Sequence, residues 1–211
     1  WPDESDGHYK IPFVYSCNGR PYVPQLAEQS GTWFRDVRGS AHTKRALPKF
    51  HTPEGLLDRL KRSKQAAEQT LQKEPFGYLK LRDYQQNAIK AVEDCLKNED
   101  KRTALLAMAT GTGKTRTIIG LMYRFLKAER FKRILFLVDS TALGTQAIDA
   151  FNEAPLEQNY TLSKIYNVAV LSDMAAEAET RIQVATVQAM VKRIFMSDSP
   201  PPVDRYDCII I

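Results

Sequence analysis

MATGTGKT, residues 108–115, closes the apolar run TALLAMA (103–109) and opens directly into a segment of helical periodicity. Strand, glycine-bearing loop and helix, in that order, are the setting of a phosphate-binding loop. Gly111 and Gly113 let the main chain curl so that successive N–H groups point at phosphate oxygens, and the helix N-terminus adds its partial positive charge. Lys114 then reaches the phosphates, the Thr115 hydroxyl holds magnesium, and Thr110 and Thr112 complete the cradle. The plain alternative is a glycine-rich turn with a solvent-facing lysine. That alternative leaves the agreement of strand, spacing, Lys-Thr pair and helix without a cause.

Working outward from the loop, short apolar runs alternate with helical patterns from about Tyr78 onward, which predicts an α/β domain with a parallel sheet. The strand candidates are TALLAMA, RILFLVD, KIYNVAVL, RIQVAT and YDCIII, whose near-continuous apolarity implies burial on both faces. Between them, Ile118, Ile119, Met122, Phe125 and Leu126 share one helical face, as do Val187, Met190, Val191 and Ile194. Both stripes read as core. LRDYQQNAIKAVEDCLKN is a further amphipathic helix, with Ile89, Val92 and Leu96 inward and Asn98 as its stop.

Residues 1–74 have a different texture. In PFVYSCNGRPYV, Asn18-Gly19 lies between two extended runs, a strong hairpin signal, and GTWFRDV supplies a third strand. Thr52-Pro53 opens a helix through Leu56, Leu57 and Leu60, with threonine as cap and proline in the first turn. That helix trails through KQAAEQTLQKE as a polar connector.

Composition narrows the classes. The 211 residues suffice for a buried core, and no apolar run is long enough to cross a bilayer, so no membrane role follows. Cys17, Cys95 and Cys208 are odd in number and lack histidines at metal-ligand spacing, which points to a reduced, cytoplasmic protein without structural zinc. A net charge of +5 suits a polyanionic partner or a merely solvated surface. Basic clusters at Lys61–Lys64, Lys132-Arg133 and Lys192-Arg193 read first as helix surfaces. Trp1 at the start and the apolar run up to Ile211 at the end lead to the expectation of a piece cut from a longer chain.

Met108 stands where the general phosphate loop has its first glycine. In this the chain resembles the nucleic-acid motors of helicase superfamily two, which have an apolar residue there. The resemblance implies a glutamine upstream that reads adenine, and LRDYQQNAI supplies Gln85, whose amide can both donate to and accept from the purine edge. Phe76 and Tyr78 precede it as either base-stacking or core residues. LFLVDSTALGTQ looks like the strand end and helix start that these motors lay along DNA, and VATVQAM looks like the next one. The candidate DNA-backbone contacts are therefore Ser140, Thr141, Thr186 and Gln188. Helix capping is the competing role for Ser140 and Thr141, and many relatives have arginine where Ser140 stands.

PFVYSCNGRPYVPQLAEQSGTWFRDVR followed by FHTPEGL narrows the likeness further. It resembles the connector of HsdR, the restriction (motor) subunit of type I restriction-modification enzymes. Asn18 to Arg20 shape the hairpin on this reading, with Arg20 facing DNA as the other possibility. Asp36 and Glu54 lack the spacing of nuclease carboxylates, so no cleavage residue is assigned.

The resemblance implies a connector over 1–74 that follows an upstream nuclease domain, and over 75–211 the first RecA-like motor domain, cut before its Asp-Glu-x-His box. It further implies ATP and Mg2+ as cofactors. Double-stranded DNA and the modification (methyltransferase) and specificity subunits are the implied partners. The parent would be an ATP-dependent type I site-specific deoxyribonuclease, and the present chain alone a weak nucleotide binder with poor turnover. Another superfamily-two motor, such as a type III restriction subunit or a repair translocase, is the nearest alternative. A nucleotide-binding switch that does not translocate is the alternative from a different class.

Overall fold

The computed structural model describes residues 11–23, 26, 29–37, 44–61, 64–97, 101–170, 180–198 and 200–211, the side chains of residues 61, 64 and 65 apart. The chain forms two compact units, one of residues 1–61, 96–103 and 202–204 and one of residues 62–95, 104–201 and 205–211. The Asn98 helix stop and the Lys61–Lys64 cluster lie outside the described residues and side chains.

In the first unit, β1 (Phe13–Cys17), β2 (Thr32–Asp36) and β3 (Arg45–Ala46) form an antiparallel sheet in that order. The expected hairpin is thus corrected: β1 pairs with the GTWFRDV strand, Phe13 opposite Asp36 and Cys17 opposite Thr32, while RPYV stays outside the ladder. Asn18 and Gly19 do bend the chain, through a bond from Arg20 N to Asn18 Oδ1 at 3.1 Å and a φ of 77° at Gly19. Pro21 then has no N–H to give a ladder, and Val23 N donates instead to Ser30 Oγ at 3.0 Å.

Aromatic rings gather over β2. Phe34 is buried and lies 5.1 Å from the Tyr15 ring and 4.4 Å from His51. α1 (Pro53–Lys61) starts as Thr52-Pro53 predicts. Thr52 Oγ1 accepts from Gly55 N at 3.0 Å and donates to Asp204 Oδ2 at 2.9 Å. A Cβ at Gly55 would stand 1.5 Å from that same carboxylate oxygen, so the close approach requires glycine.

The second unit contains α2 (Lys64–Lys73), α4 (Lys114–Lys127), β4 (Ile134–Val138), α5 (Thr141–Glu153), α6 (Leu162–Ile165), β5 (Val168–Val170), β6 (Ile182–Thr186), α7 (Val187–Phe195) and β7 (Cys208–Ile210), together with nearly all of α3 (Asp83–Lys97). The parallel sheet has the order β5-β6-β4-β7. Alternate residues serve opposite faces. Phe136 meets Phe151 of α5 on one face, while Leu135, Leu137 and Ala185 pack with Met190 of α7 on the other. Helices therefore cover both faces, as expected.

Three expectations need correction. TALLAMA forms no strand: residues 103–109 join no ladder, and Leu105 is 96% exposed. An apolar run becomes a buried strand only where neighbouring edges take its N–H and C=O groups, and among the described residues β7 pairs on one side alone, with β4. Second, α4 carries more than one apolar stripe. Every residue from Ile119 to Leu126 is buried, Arg124 included, because this helix lies inside the unit. Third, only Met190 of the α7 stripe is buried, while Val187, Val191 and Ile194 remain exposed.

α2 is also more than a polar connector, since Ala67 and Leu71 are buried. Arg124 accounts for its attachment. From α4 the guanidinium donates to the Leu71 carbonyl at 2.6 Å and the Glu74 carbonyl at 2.8 Å, groups left open at the α2 C-terminus. It also grips Glu93 of α3 through both carboxylate oxygens, at 2.6 and 3.1 Å.

Candidate phosphate-loop site

Residues 110–113 curl immediately before α4, with Gly111 at φ 77° and Gly113 at φ 78°. Both values lie in the left-handed region that glycine enters without cost, which is why those two positions are glycines. Gly113 sits at the cap position of α4 and has no side-chain cap, so the first N–H groups of the helix are open to a ligand. The Gly113 carbonyl points the other way and accepts from Thr117 N at 3.0 Å and Thr117 Oγ1 at 3.1 Å. Thr112 Oγ1 closes the turn on the Ala109 carbonyl at 2.6 Å.

Thr110, Lys114 and Thr115 are exposed. Lys114 Nζ folds back toward the Met108 carbonyl at 3.4 Å, a weak contact from which it can swing out. Thr115 lines a cleft of about 260 Å³ at the carboxyl end of β4, with Val138, Asp139, Gln146 and Ile211 among the other walls. A cleft where parallel strands end is where α/β sheets take ligands. Positive-φ glycines, uncapped helix amides, a lysine able to swing out and an exposed hydroxyl are a donor set that fits a magnesium-bound triphosphate.

Gln85 holds the loop. It is 4% exposed, and its amide Nε2 donates to the Thr112 carbonyl at 2.9 Å and to the Gly113 carbonyl at 3.4 Å, while Oε1 accepts from Arg82 N at 2.9 Å. The structure thus brings Gln85 to the loop and engages its amide there. Tyr78 serves the core, buried with its hydroxyl pushed up to about 12 by burial, and the half-buried Phe76 ring lies under the Arg124 guanidinium at 4.1 Å. Sequence reasoning missed Tyr84, whose hydroxyl donates to the Thr112 carbonyl at 2.9 Å. Its signal was its place next to Gln85 in the first turn of α3, on the side that faces the loop.

The four candidate DNA contacts fall at adjacent strand ends, since Val138 of β4 and Thr186 of β6 are register partners. Ser140 caps α5 by accepting from Leu143 N at 3.4 Å, and Thr186 caps α7 by accepting from Ala189 N at 3.1 Å. Thr141 is the first residue of α5 and not its cap. Gln188 is exposed in the first turn of α7. A hydroxyl that accepts a capping bond keeps its proton to donate, so capping and phosphate contact are compatible at Ser140 and Thr186. Arg20 is exposed, and Asp36 and Glu54 belong to β2 and α1.

Residues 78–211 match the family model described as "Type III restriction enzyme, res subunit". The chain belongs to that family. The sheet with helices on both faces is accordingly a partial RecA-like α/β fold. Outside the family's span, residues 1–60 match the "Type I restriction enzyme EcoKI endonuclease subunit second domain". The EcoKI endonuclease subunit of Escherichia coli (strain K12) is 46% identical over 213 aligned residues, which cover 100% of this chain and 18% of that relative. The EcoAI endonuclease subunit of Escherichia coli is 45% identical over 65 residues, 31% of this chain and 8% of its own length. The chain thus spans 18% and 8% of the lengths of these two relatives.

Among solved structures, a nuclease-deletion mutant of the Type ISP restriction-modification enzyme LlaGI in complex with a DNA substrate mimic is 22% identical over 53% of this chain and 13% of its own, with a TM-score of 0.40. A likeness that distant carries no argument.

Proposed function

We propose that this chain is the connector and the first motor half of an ATP-dependent DNA translocase and endonuclease subunit of a type I restriction enzyme. One observation carries the reading: two glycines at positive φ open α4 below a lysine and a threonine, and a buried glutamine is seated on the loop they form. Residues 110–115 would hold the phosphates of ATP, Thr115 the magnesium and Gln85 the adenine side of the loop. Ser140, Thr141, Thr186 and Gln188 would touch the backbone of double-stranded DNA, where short polar side chains position a strand without reading its sequence.

The match of residues 1–60 and the 46% identity over the whole chain favour the type I assembly over a type III subunit. Methyltransferase and specificity subunits are then the partners, and the cytoplasm, where DNA is met, the location. No helix among the described residues is long and apolar enough to cross a membrane. Residues 1–74 would be the connector and 75–211 the motor portion. Alone, residues 1–211 would bind nucleotide weakly and turn it over poorly, since turnover also needs an acidic magnesium ligand and a transition-state arginine.

The test is ATP hydrolysis by the full-length protein with and without DNA. DNA should stimulate it, and Lys114→Ala should abolish it. ATP binding without stimulation by DNA would favour a non-translocating switch.

A further inference from the structure

The Thr112 carbonyl accepts two side-chain hydrogen bonds from consecutive residues of α3, from Tyr84 Oη at 2.9 Å and from Gln85 Nε2 at 2.9 Å. A carbonyl oxygen has two lone pairs, so both bonds are satisfied at once. One donor would leave the carbonyl free to swing about that bond. Two, from neighbouring positions on one helix, define its direction.

That direction has a consequence across the peptide. There are no cis peptide bonds among the described residues, and in a trans peptide the N–H points opposite the C=O. The peptide between Thr112 and Gly113 is also the soft joint of the loop. Rotating its plane changes ψ of residue 112 and φ of Gly113, and glycine accepts nearly any φ. Left alone, this plane can turn its N–H away from the ligand.

We infer that Tyr84 is a positioning residue: its hydroxyl, with the Gln85 amide, holds the Thr112 carbonyl away from the anion and so keeps the Gly113 N–H aimed at the triphosphate. The inference rests on the nucleotide reading above and deepens it. Gln85 is buried and serves the loop from beneath, whereas Tyr84 is 42% exposed and holds the loop from its open side. The ligand class that benefits is any polyphosphate, since the group being aimed is a main-chain donor with no preference for a base.

Tyr84→Phe in the full-length protein removes the hydroxyl and nothing else. It should weaken binding of magnesium ATP and of inorganic tripolyphosphate by one common factor, about 3- to 10-fold for one lost hydrogen bond. KM for ATP should rise with kcat little changed, because an amide that binds ground state and transition state alike affects binding only. The thermal midpoint should stay where it was. Equal affinities for wild type and Tyr84→Phe would overturn the inference. So would a loss confined to ATP with tripolyphosphate unaffected, which would make Tyr84 a base contact. A wild-type protein that binds neither ligand would overturn the nucleotide reading itself, a separate result.

Discussion

At Gly113 an added methyl group would stand 2.5 Å from Gln85 Nε2, on a backbone held at φ 78°. Gly113→Ala therefore meets both strain and collision. It should cost about 1–3 kcal/mol in stability and displace Gln85 from the loop, read as a lower denaturation midpoint together with lost triphosphate binding. His51 offers a residue-scale prediction of another kind. Arg45 Nη2 can only donate to His51 Nε2, at 3.3 Å, so the neutral ring carries its proton on Nδ1 and donates to Tyr15 Oη. Burial foremost, then the nearby charges of Arg59 and Arg45, push this imidazole down to about 4 from 6.5. Between those values an unfolded chain takes up a proton that the folded site refuses. Stability should be fully present above pH 6.5 and fall as pH falls toward 4. Urea unfolding across that range measures it, and His51→Gln should flatten the slope. The positive φ of Gly111 and Gly113 was legible from the sequence because the tight turn into α4 demands it locally. The His51 environment was not, since Arg45, Arg59 and Tyr15 converge on it only after the sheet has formed.

Among the elements, α4 shows how one buried cation organises its neighbours. Arg124 is 1% exposed and bonds to α2 carbonyls and to Glu93 of α3, so three helices meet at one side chain. Arg124→Met leaves Glu93 charged and unpaired in the interior, and Glu93→Gln leaves the guanidinium without its counter-charge. Either change should destabilise by about 3–5 kcal/mol, whereas the double replacement by apolar residues should recover much of the loss. Chemical denaturation of the single and double variants measures this. A helical wheel of α4 shows Ile119, Met122 and Phe125 as core but treats Arg124 as surface, because periodicity cannot reveal a partner brought from another helix. The α7 stripe errs in the opposite direction: its spacing is that of a core helix, yet only Met190 of its four residues is buried.

At the scale of the molecule, exposed apolar surface is the main departure from what the pattern predicts. Leu105 at 96%, Ile211 at 88%, Met196 at 75% and Phe195 at 65% are accessible to solvent. Apolar side chains this open to solvent offer contact surface to apolar ligands and other chains. The 211-residue chain is expected to bind a hydrophobic dye and to self-associate as its concentration rises. A dye titration with sedimentation over a concentration series measures both, and a monomer indifferent to the dye would contradict the expectation. The alternation of apolar runs with helical patterns made the parallel sheet legible in advance, since burial on both faces leaves a near-continuous apolar signature. The strand order and the pairing of β1 with β2 were not legible, because any two apolar runs satisfy the same pattern.

The sequence by itself determined the glycine-bearing turn at 110–113, the helix that follows it, the parallel character of the sheet and the Thr52-Pro53 start of α1. Each is a local matter of backbone freedom, capping or periodicity, and so is readable in a short window. Only the tertiary structure decided that Tyr84 and Gln85 share one carbonyl, that Arg124 closes α2, and that TALLAMA and all of the α7 stripe but Met190 stay outside the core. Those outcomes depend on which groups from distant parts of the chain arrive as hydrogen-bond partners or apolar neighbours, and a linear pattern specifies the demand for a partner without naming it.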